Sequence, residues 1–204
     1  MKILLIGSNG AIGKAIAASL KDESIEIVPV NLHSGDLSVD ISSEDSIRQM
    51  FEVIGVFDGL ICAAGSAYAG PLEKMGTKEI YKGIQSKLMG QVNLVMIGKQ
   101  YINPKGFFTL TSGNLADEPA KYSAGLGLVN GALNGFVINA ALEMPNGIRL
   151  NVVSPSVLLE SVEKYGEQEG RYPIPGKDVA EAYKRTVYEN ITGEVIRIFG
   201  KPRQ

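Results

Sequence analysis

Three glycines at positions 7, 10 and 13 constrain this chain most, because they lie between an apolar run at 2–6 and a helix-forming run at 14–20. This order predicts a strand, a glycine-rich turn and a helix. Such a turn lets bare backbone approach a ligand, and the helix start offers unpaired N–H groups and the positive end of its dipole. We therefore predict a pyrophosphate site at this turn. The alternative is a strand–helix turn that binds nothing.

Length and composition fit a globular protein. The chain has 204 residues, 45% of them hydrophobic, and its net charge of −2 gives no reason to expect binding to nucleic acid or to a membrane surface. Cys62 is the only cysteine and His33 the only histidine, so neither a disulfide within the chain nor a metal site nor a Ser-His-Asp triad is expected. Without a signal peptide or an apolar run long enough to span a bilayer, we predict a cytoplasmic protein.

Short apolar runs alternate with helix-period segments, which is typical of a parallel sheet with crossover helices. We predict seven strands, at 2–6, 25–30, 37–40, 57–65, 105–112, 148–155 and 194–199. The main later helices are predicted at 42–54, 78–101 (interrupted near Gly83), 128–143 and 178–189. The fold class is thus α/β: a single Rossmann-type domain over 1–204, with a doubly wound sheet of order 3-2-1-4-5-6-7 and helices on both faces. A polar segment at about 156–176 is predicted to be a substrate-side flap.

The chain resembles the short-chain dehydrogenase/reductase superfamily over nearly its whole length. The resemblance rests on the three glycines, Asp40-Ile41, Cys62–Gly65, Ser112, Ala141–Glu143 and Arg149–Pro155. It implies a nicotinamide dinucleotide cofactor and an oxidoreductase that acts on a small carbonyl or alcohol substrate. None of these motifs specifies which substrate.

The resemblance also implies which residues contact the cofactor. It assigns Gly7, Ser8, Gly10, Ala11, Ile12 and Gly13 to the pyrophosphate, Asp40 and Ile41 to the adenine, Ala63, Ala64 and Gly65 to the surface beneath the cofactor, and Pro155 to the nicotinamide carboxamide. Cys62 stands where the superfamily usually has asparagine. We interpret Cys62 as a small buried apolar residue rather than a reactive thiol.

The end of the second strand bears on the choice between NAD and NADP. NAD sites place an acidic residue there, whereas this chain has Asn31, followed by His33 and Ser34. No carboxylate repels a 2′-phosphate, and His33 and Ser34 could donate hydrogen bonds to one, so we favour NADP(H) over NAD(H). The alternative is that these two residues form only a solvated loop. Glu160 argues against the cofactor assignment. It stands where the superfamily often has a threonine that contacts the cofactor phosphate, and a carboxylate there would repel that phosphate.

The superfamily's catalytic tyrosine and lysine are missing, since their positions fall on Leu126 and Asn130. Lys87 stands where the superfamily has an active-site asparagine, Ser112 keeps the substrate-orienting hydroxyl, and Tyr122 lies four residues before Leu126. We predict that Ser112 bonds the substrate carbonyl and that Lys87 or Tyr122 supplies charge or a proton. Each also has a structural interpretation: Lys87 as a solvated helix residue, Tyr122 as a surface or lid residue, and Ser112 as a backbone cap.

Two functions remain open. The first is an NADP-dependent oxidoreductase with an atypical active site. The second is a catalytically impaired dinucleotide-binding sensor or regulatory protein, which the missing catalytic pair favours. The small residues Gly131, Ala132 and Gly135 on the helix at 128–143 indicate a homodimer or homotetramer, although they would equally serve packing against the sheet.

Overall fold

A parallel sheet forms the centre of the molecule. The computed structural model describes residues 1–33, 37–165 and 172–200, with backbone alone at 163–165. Within these ranges the strands are β1 (Lys2–Ile6), β2 (Glu26–Val30), β3 (Phe57–Cys62), β4 (Ile102–Thr111), β5 (Arg149–Pro155) and β6 (Val195–Ile198). All pair in parallel, in the order β2-β1-β3-β4-β5-β6. The α/β class and the doubly wound order are confirmed.

Helices cover both faces of the sheet. In the described ranges they are α1 (Ala11–Ser19), α2 (Glu44–Ile54), α3 (Thr77–Gly83), α4 (Gly90–Gly98), α5 (Ala124–Ala140), α6 (Leu159–Tyr165) and α7 (Gly176–Tyr188). Successive residues of β1 point to opposite faces, so Leu4 and Ile6 pack with α2, α4 and α5, whereas Ile3 and Leu5 pack with α1 and α7. A strand buried on both faces reads as an unbroken apolar run, which is the pattern at 3–6.

The predicted strand at 37–40 is wrong, so the sheet has six strands in the described residues instead of seven. This stretch makes one isolated bridge, between Asn31 and Ser38. Asp40 then turns the chain, because its carboxylate accepts hydrogen bonds from the Ser42 N–H at 2.9 Å and the Ser42 hydroxyl at 2.6 Å. The turn leads directly into α2, which leaves no room for a ladder.

The predicted helix at 78–101 is found at 77–98, and its predicted interruption near Gly83 is confirmed. α3 ends at Gly83, a π-helical segment spans Ile84–Met89, and α4 begins at Gly90. A Cβ on Gly90 would lie 2.9 Å from Ile41, so this glycine lets the helix pack closely on the chain before α2. π-segments inside helices occur frequently at functional sites.

α5 corrects two expectations. It begins at Ala124 rather than 128. Together with the turn that follows it forms Ala124–Glu143, which by length and composition alone could span a membrane, so the prediction that no apolar run is long enough is wrong. Val129, Leu133 and Val137 are nevertheless fully buried, as in a core helix. No atom lies within 4 Å of a Cβ built on Gly131 or Gly135, so these glycines do not serve packing against the sheet.

A buried hydrogen-bond chain ties α7 to the sheet beneath its carboxyl edge. The Thr111 hydroxyl donates to the Cys62 carbonyl at 2.5 Å, and the Tyr183 hydroxyl lies 2.6 Å from Thr111 Oγ1. Because the single hydroxyl proton of Thr111 is donated to the Cys62 carbonyl, the Tyr183 hydroxyl must be the donor in its bond with Thr111 Oγ1. Tyr183 is fully buried, and burial raises its pKa well above the ordinary range.

Thr111→Val should destabilise the fold more than Tyr183→Phe. The valine leaves both the Tyr183 hydroxyl and the Cys62 carbonyl unpaired in the core, at a cost of about 2–3 kcal/mol, whereas the phenylalanine removes one hydrogen bond worth about 1 kcal/mol. Urea unfolding of both variants measures the difference. The exposed Thr77→Val is the matched control and should stay within about 0.5 kcal/mol of the parent. Equal losses for Thr111→Val and Tyr183→Phe would contradict the arrangement.

Candidate functional site

A cleft of about 240 Å³ opens at the carboxyl edge of the sheet. Its lining includes Ile12 of α1, residues 63–65 after β3, residues 111–115 at the end of β4 and residues 155–157 at the end of β5. Lys87 of the π segment and two residues of α5 complete the lining. Ligands of open parallel sheets bind outside this edge, where successive strands diverge.

The glycine turn is shaped by two close backbone contacts. Gly7 has φ +82°, and its N–H donates to the Val30 carbonyl at 2.8 Å. A Cβ on Gly13 would lie 2.2 Å from the Gly7 carbonyl oxygen, so only glycine fits. The N–H groups of Ala11, Ile12 and Gly13 lie in the first turn of α1, where no acidic side chain competes for them. The predicted turn is thus built as a site that can hold an anion.

Asn31 holds this turn from the end of β2. Its Oδ1 accepts the Asn9 N–H at 3.1 Å, and its Nδ2 donates to the Ser8 hydroxyl at 2.8 Å. Ser8, predicted to contact the pyrophosphate, is therefore positioned by a side chain from the neighbouring strand. His33 lies exposed just beyond β2, whereas Ser34 lies outside the described residues.

Asp40 and Ile41, predicted to contact adenine, have different surroundings. Asp40 is exposed, and hydrogen bonds from Ser42, together with the nearby His33, lower the pKa of its carboxyl group. Ile41 is 8% exposed and packs against Gly90. Ile41 therefore offers an apolar edge near the surface, and the Asp40 carboxylate is already engaged in a turn.

Residues 63–65 pass close to both the glycine turn and the π segment. A Cβ on Gly7 would lie 2.8 Å from the Ala63 carbonyl oxygen, and one on Gly65, which has φ +116°, would lie 2.8 Å from the Lys87 Cα. Cys62 is fully buried, and burial raises the pKa of its thiol to about 12. An inert, small Cys62 agrees with the interpretation from sequence.

Lys87 reaches into the cleft. Its Nζ donates to the Ser112 carbonyl at 2.8 Å, its side chain is half-buried, and none of the carboxylates in the described ranges forms an ion pair with it. Loss of solvation lowers its pKa to about 8. Lys87 is therefore not a solvated helix residue, and its ammonium group can lose a proton near neutral pH.

Two buried polar atoms of the cleft lining have no hydrogen-bond partner among the described residues. Ser112 and Asn130 are each 2% exposed, and the unpaired atoms are Ser112 Oγ and Asn130 Oδ1. Both residues line the cleft, as does Leu126. Because an unpaired buried polar atom is costly, these two atoms are available to a ligand or to water in the cleft. Ser112 Oγ caps none of the described backbone groups, which disagrees with its structural interpretation.

Gln91 is a positioning residue that sequence reasoning missed. Its side chain accepts the Thr111 N–H at 2.8 Å and donates to the Thr111 carbonyl at 2.9 Å and to the Lys87 carbonyl at 3.2 Å. It is fully buried and thereby joins the end of β4 to the segment that carries Lys87. Its one signal in the sequence is that it is one of two amide side chains, with Asn93, in the otherwise apolar run Gly90–Gly98.

Tyr122 does not line the cleft. It lies on the loop before α5, 62% exposed, with φ 64°, and it lines a neighbouring surface groove. The structure therefore brings Lys87 and Ser112 together but leaves Tyr122 apart from them, which agrees with a surface or lid residue.

Pro155, the last residue of β5, lines the cleft, and its predicted contact with the nicotinamide carboxamide stays a prediction. In the predicted flap, α6 spans Leu159–Tyr165, and residues 166–171 lie outside the described part. The Glu160 carboxylate accepts the N–H of Gly176, the first residue of α7, at 3.0 Å, so it caps a helix. This contact gives Glu160 a structural role that does not involve a ligand phosphate.

Comparison with known proteins agrees with this site. A family model described as enoyl-(acyl carrier protein) reductase matches residues 7–171, and the chain belongs to the short-chain dehydrogenase/reductase superfamily of oxidoreductases. The structure of the protein lin1944 from Listeria innocua matches with a TM-score of 0.94 and 42% identity, over 98% of this chain and 100% of that one.

Two further relatives carry descriptions of function. A small-chain dehydrogenase solved in complex with NADPH matches with a TM-score of 0.88 and 27% identity, over 98% of this chain and 97% of that one. The vibriobactin-specific 2,3-dihydro-2,3-dihydroxybenzoate dehydrogenase of Vibrio cholerae serotype O1 is 22% identical, over 88% of this chain and 79% of its own length.

Gly13→Ala should destabilise the fold by about 1–3 kcal/mol, because the new methyl group meets the Gly7 carbonyl and the backbone must shift. Lys14→Ala, at the next and exposed position of α1, is the control and should stay within about 0.5 kcal/mol of the parent. Thermal or urea unfolding measures both. If Gly13→Ala were as stable as the parent, the close approach of α1 to the turn would be refuted.

Proposed function

We propose that this protein is an NADP(H)-dependent oxidoreductase that interconverts a small carbonyl compound and its alcohol, with Lys87 as the proton donor. The observation that carries the proposal is the half-buried Lys87 ammonium group, 2.8 Å from the Ser112 carbonyl and without a carboxylate partner among the described residues. It lies in one cleft with the unpartnered Ser112 hydroxyl.

The residues present fit a nicotinamide dinucleotide. The turn at Gly7–Gly13 offers a pyrophosphate the N–H groups of the first turn of α1 and the bare backbone of its three glycines. Ala63, Ala64 and Gly65 continue as a surface of small residues. The NADPH complex of the 27% identical small-chain dehydrogenase supports the same assignment. When bound, the cofactor supplies or accepts the hydride.

The chain's own groups supply orientation and the proton. Ser112 Oγ donates a hydrogen bond to the substrate carbonyl oxygen and thereby fixes its position. Lys87 Nζ gives a proton to the same oxygen as the alcohol forms, and in the reverse direction the neutral amine takes that proton back. Asn130 Oδ1 accepts a hydrogen bond from a donor on the substrate or cofactor. Tyr122 has no catalytic role in this proposal, because it lines the neighbouring groove and not the cleft.

Lys87→Met should lower kcat for carbonyl reduction at least about 100-fold, because the proton donor is lost. Lys87→Arg should lose as much, since arginine keeps its charge and cannot give up its proton at these pH values. The parent's reduction rate should fall as pH rises through about 8, the pKa of Lys87, and alcohol oxidation should rise over the same range. Steady-state NADPH consumption against pH measures each, with the exposed Lys82→Met as control.

A different outcome would identify the role. If Lys87→Arg kept the parent rate, Lys87 would act through its charge and not by proton transfer. If Lys87→Met also kept the rate and the pH dependence, the proposal for Lys87 would be refuted.

A second candidate function is a dinucleotide-binding sensor or regulatory protein without turnover. It is favoured by Leu126 in the cleft, where an apolar side chain takes the place of a proton-donating hydroxyl. Saturable NADPH binding by calorimetry, with no NADPH consumed across a panel of aldehydes and ketones, would favour this function over the first.

We further propose a preference for NADP over NAD, supported by the absence of a carboxylate at Asn31. Asn31→Asp can still accept from the Asn9 N–H and the Ser8 hydroxyl, but it adds a negative charge at the end of β2. We expect this variant to weaken NADPH binding relative to NADH at least tenfold by calorimetry, with the exposed Asn139→Asp as charge-matched control. A parent that binds NADH more tightly than NADPH would overturn the preference.

Cytoplasmic location and a homodimer or homotetramer also remain proposals. The open positions of Gly131 and Gly135 on α5 support the second of these, because they leave a helix surface that another chain can approach closely. We also propose that the protein binds a small-molecule substrate and binds neither nucleic acid nor membranes.

A further inference from the structure

We propose that the substrate carries an apolar chain, and that this chain lies in a second groove continuous with the cleft. The inference rests on the proposed function, because it concerns the substrate of the same site. It assigns a specificity role to Leu72, Leu115 and Tyr122, which have no part in the proton transfer.

The groove has a volume of about 310 Å³ and lies between Gly70–Leu72 on one side and the segment from Leu115 to Leu128 on the other. Leu115 lines both the groove and the cleft. On α5, Leu126 belongs to the cleft and the next residue, Gly127, to the groove. The two cavities therefore adjoin at Leu115, and in the proposed complex a molecule whose carbonyl lies at Ser112 continues past this side chain into the groove.

The lining suits a hydrocarbon chain. None of the described residues that line the groove carries a charge, and Leu72, Leu115, Leu128 and Pro119 give it an apolar surface. The Ser123 hydroxyl is already bonded to the Ala120 carbonyl, so the Tyr122 hydroxyl is the one side-chain polar group left in the lining. Leu72 is 69% exposed, and covering it with an alkyl chain would remove apolar surface from water.

The groove is held open by its backbone. Tyr122 has φ 64°, a conformation that costs a residue with a side chain about 1 kcal/mol or more, and the Gly70 N–H donates to its carbonyl at 2.8 Å. This bond fixes the two walls relative to each other. On the floor, a Cβ on Gly127 would lie 3.1 Å from the Leu115 carbonyl oxygen, so glycine lets the two segments approach.

The first experiment follows NADPH consumption with unbranched aldehydes from propanal to octanal. Each methylene that enters the groove should raise kcat/KM about fourfold until the groove is filled. Ala124→Trp, at the groove wall, should remove this gain and leave propanal unaffected. Ala18→Trp places the same side chain at an exposed position on α1 that lines neither cavity and should behave as the parent.

The second experiment does not depend on turnover. The chain has no tryptophan, so Tyr122→Trp places a single fluorescent reporter in the groove. Titration with 1-octanol should shift its emission to the blue and saturate, whereas 1-propanol should not, and Ala18→Trp should respond to neither.

The outcomes separate the two proposals. If no aldehyde is reduced but the fluorescence of Tyr122→Trp responds to octanol, the proposed reaction is refuted, whereas the binding of an apolar chain in the groove is supported. If kcat/KM is independent of chain length, or the reporter shows no response to octanol, the groove proposal is overturned. It is also overturned if Ala124→Trp changes the oligomeric state on gel filtration and leaves octanal reduction intact, because the groove would then be covered by a second copy of the chain.

Discussion

The site depends on close backbone contacts that only glycine permits. A Cβ would lie 2.2 Å from the Gly7 carbonyl at Gly13, 2.8 Å from the Ala63 carbonyl at Gly7, and 2.8 Å from the Lys87 Cα at Gly65. These contacts bring α1, the end of β3 and the π segment to one point. At the carboxyl edge of the sheet, backbone segments therefore pack directly against each other. A ligand can approach the N–H groups there without displacing side chains.

The same contacts determine the environment of Lys87. With the helix close against Gly65, the side chain extends into the cleft instead of into solvent, and a neutral carbonyl is the hydrogen-bond acceptor that it reaches. Burial without a countercharge disfavours the ammonium form, so the pKa falls to about 8. In the proposed reaction the lowered pKa of Lys87 favours catalysis, because its ammonium group more readily gives a proton to a substrate oxygen.

The sequence was sufficient for the elements with strong periodicity. The six strands of the sheet, their order, the interruption near Gly83 and the glycine turn follow from apolar alternation and glycine spacing. The segment at 37–40 could not be decided in this way, because its two apolar residues fit a strand as well as a turn fixed by Asp40 and Ser42. The resemblance to the superfamily brought Ser112 and Lys87 into the site. It did not reveal that Gln91 would hold Thr111 or that Leu115 would line two cavities.

Leu126 connects the chemistry of the cleft with the proposed groove. Leu126 gives the α5 wall of the cleft an apolar side chain where the superfamily has a tyrosine hydroxyl. Along α5, Leu126 is followed by Gly127 and Leu128, which line the groove. Lys87 stands on a different element, in the π segment, beside Ser112. In the proposed reaction the proton comes from the π segment, so a proton donor on α5 is not required. The apolar wall at Leu126 can then contact the apolar part of the proposed substrate.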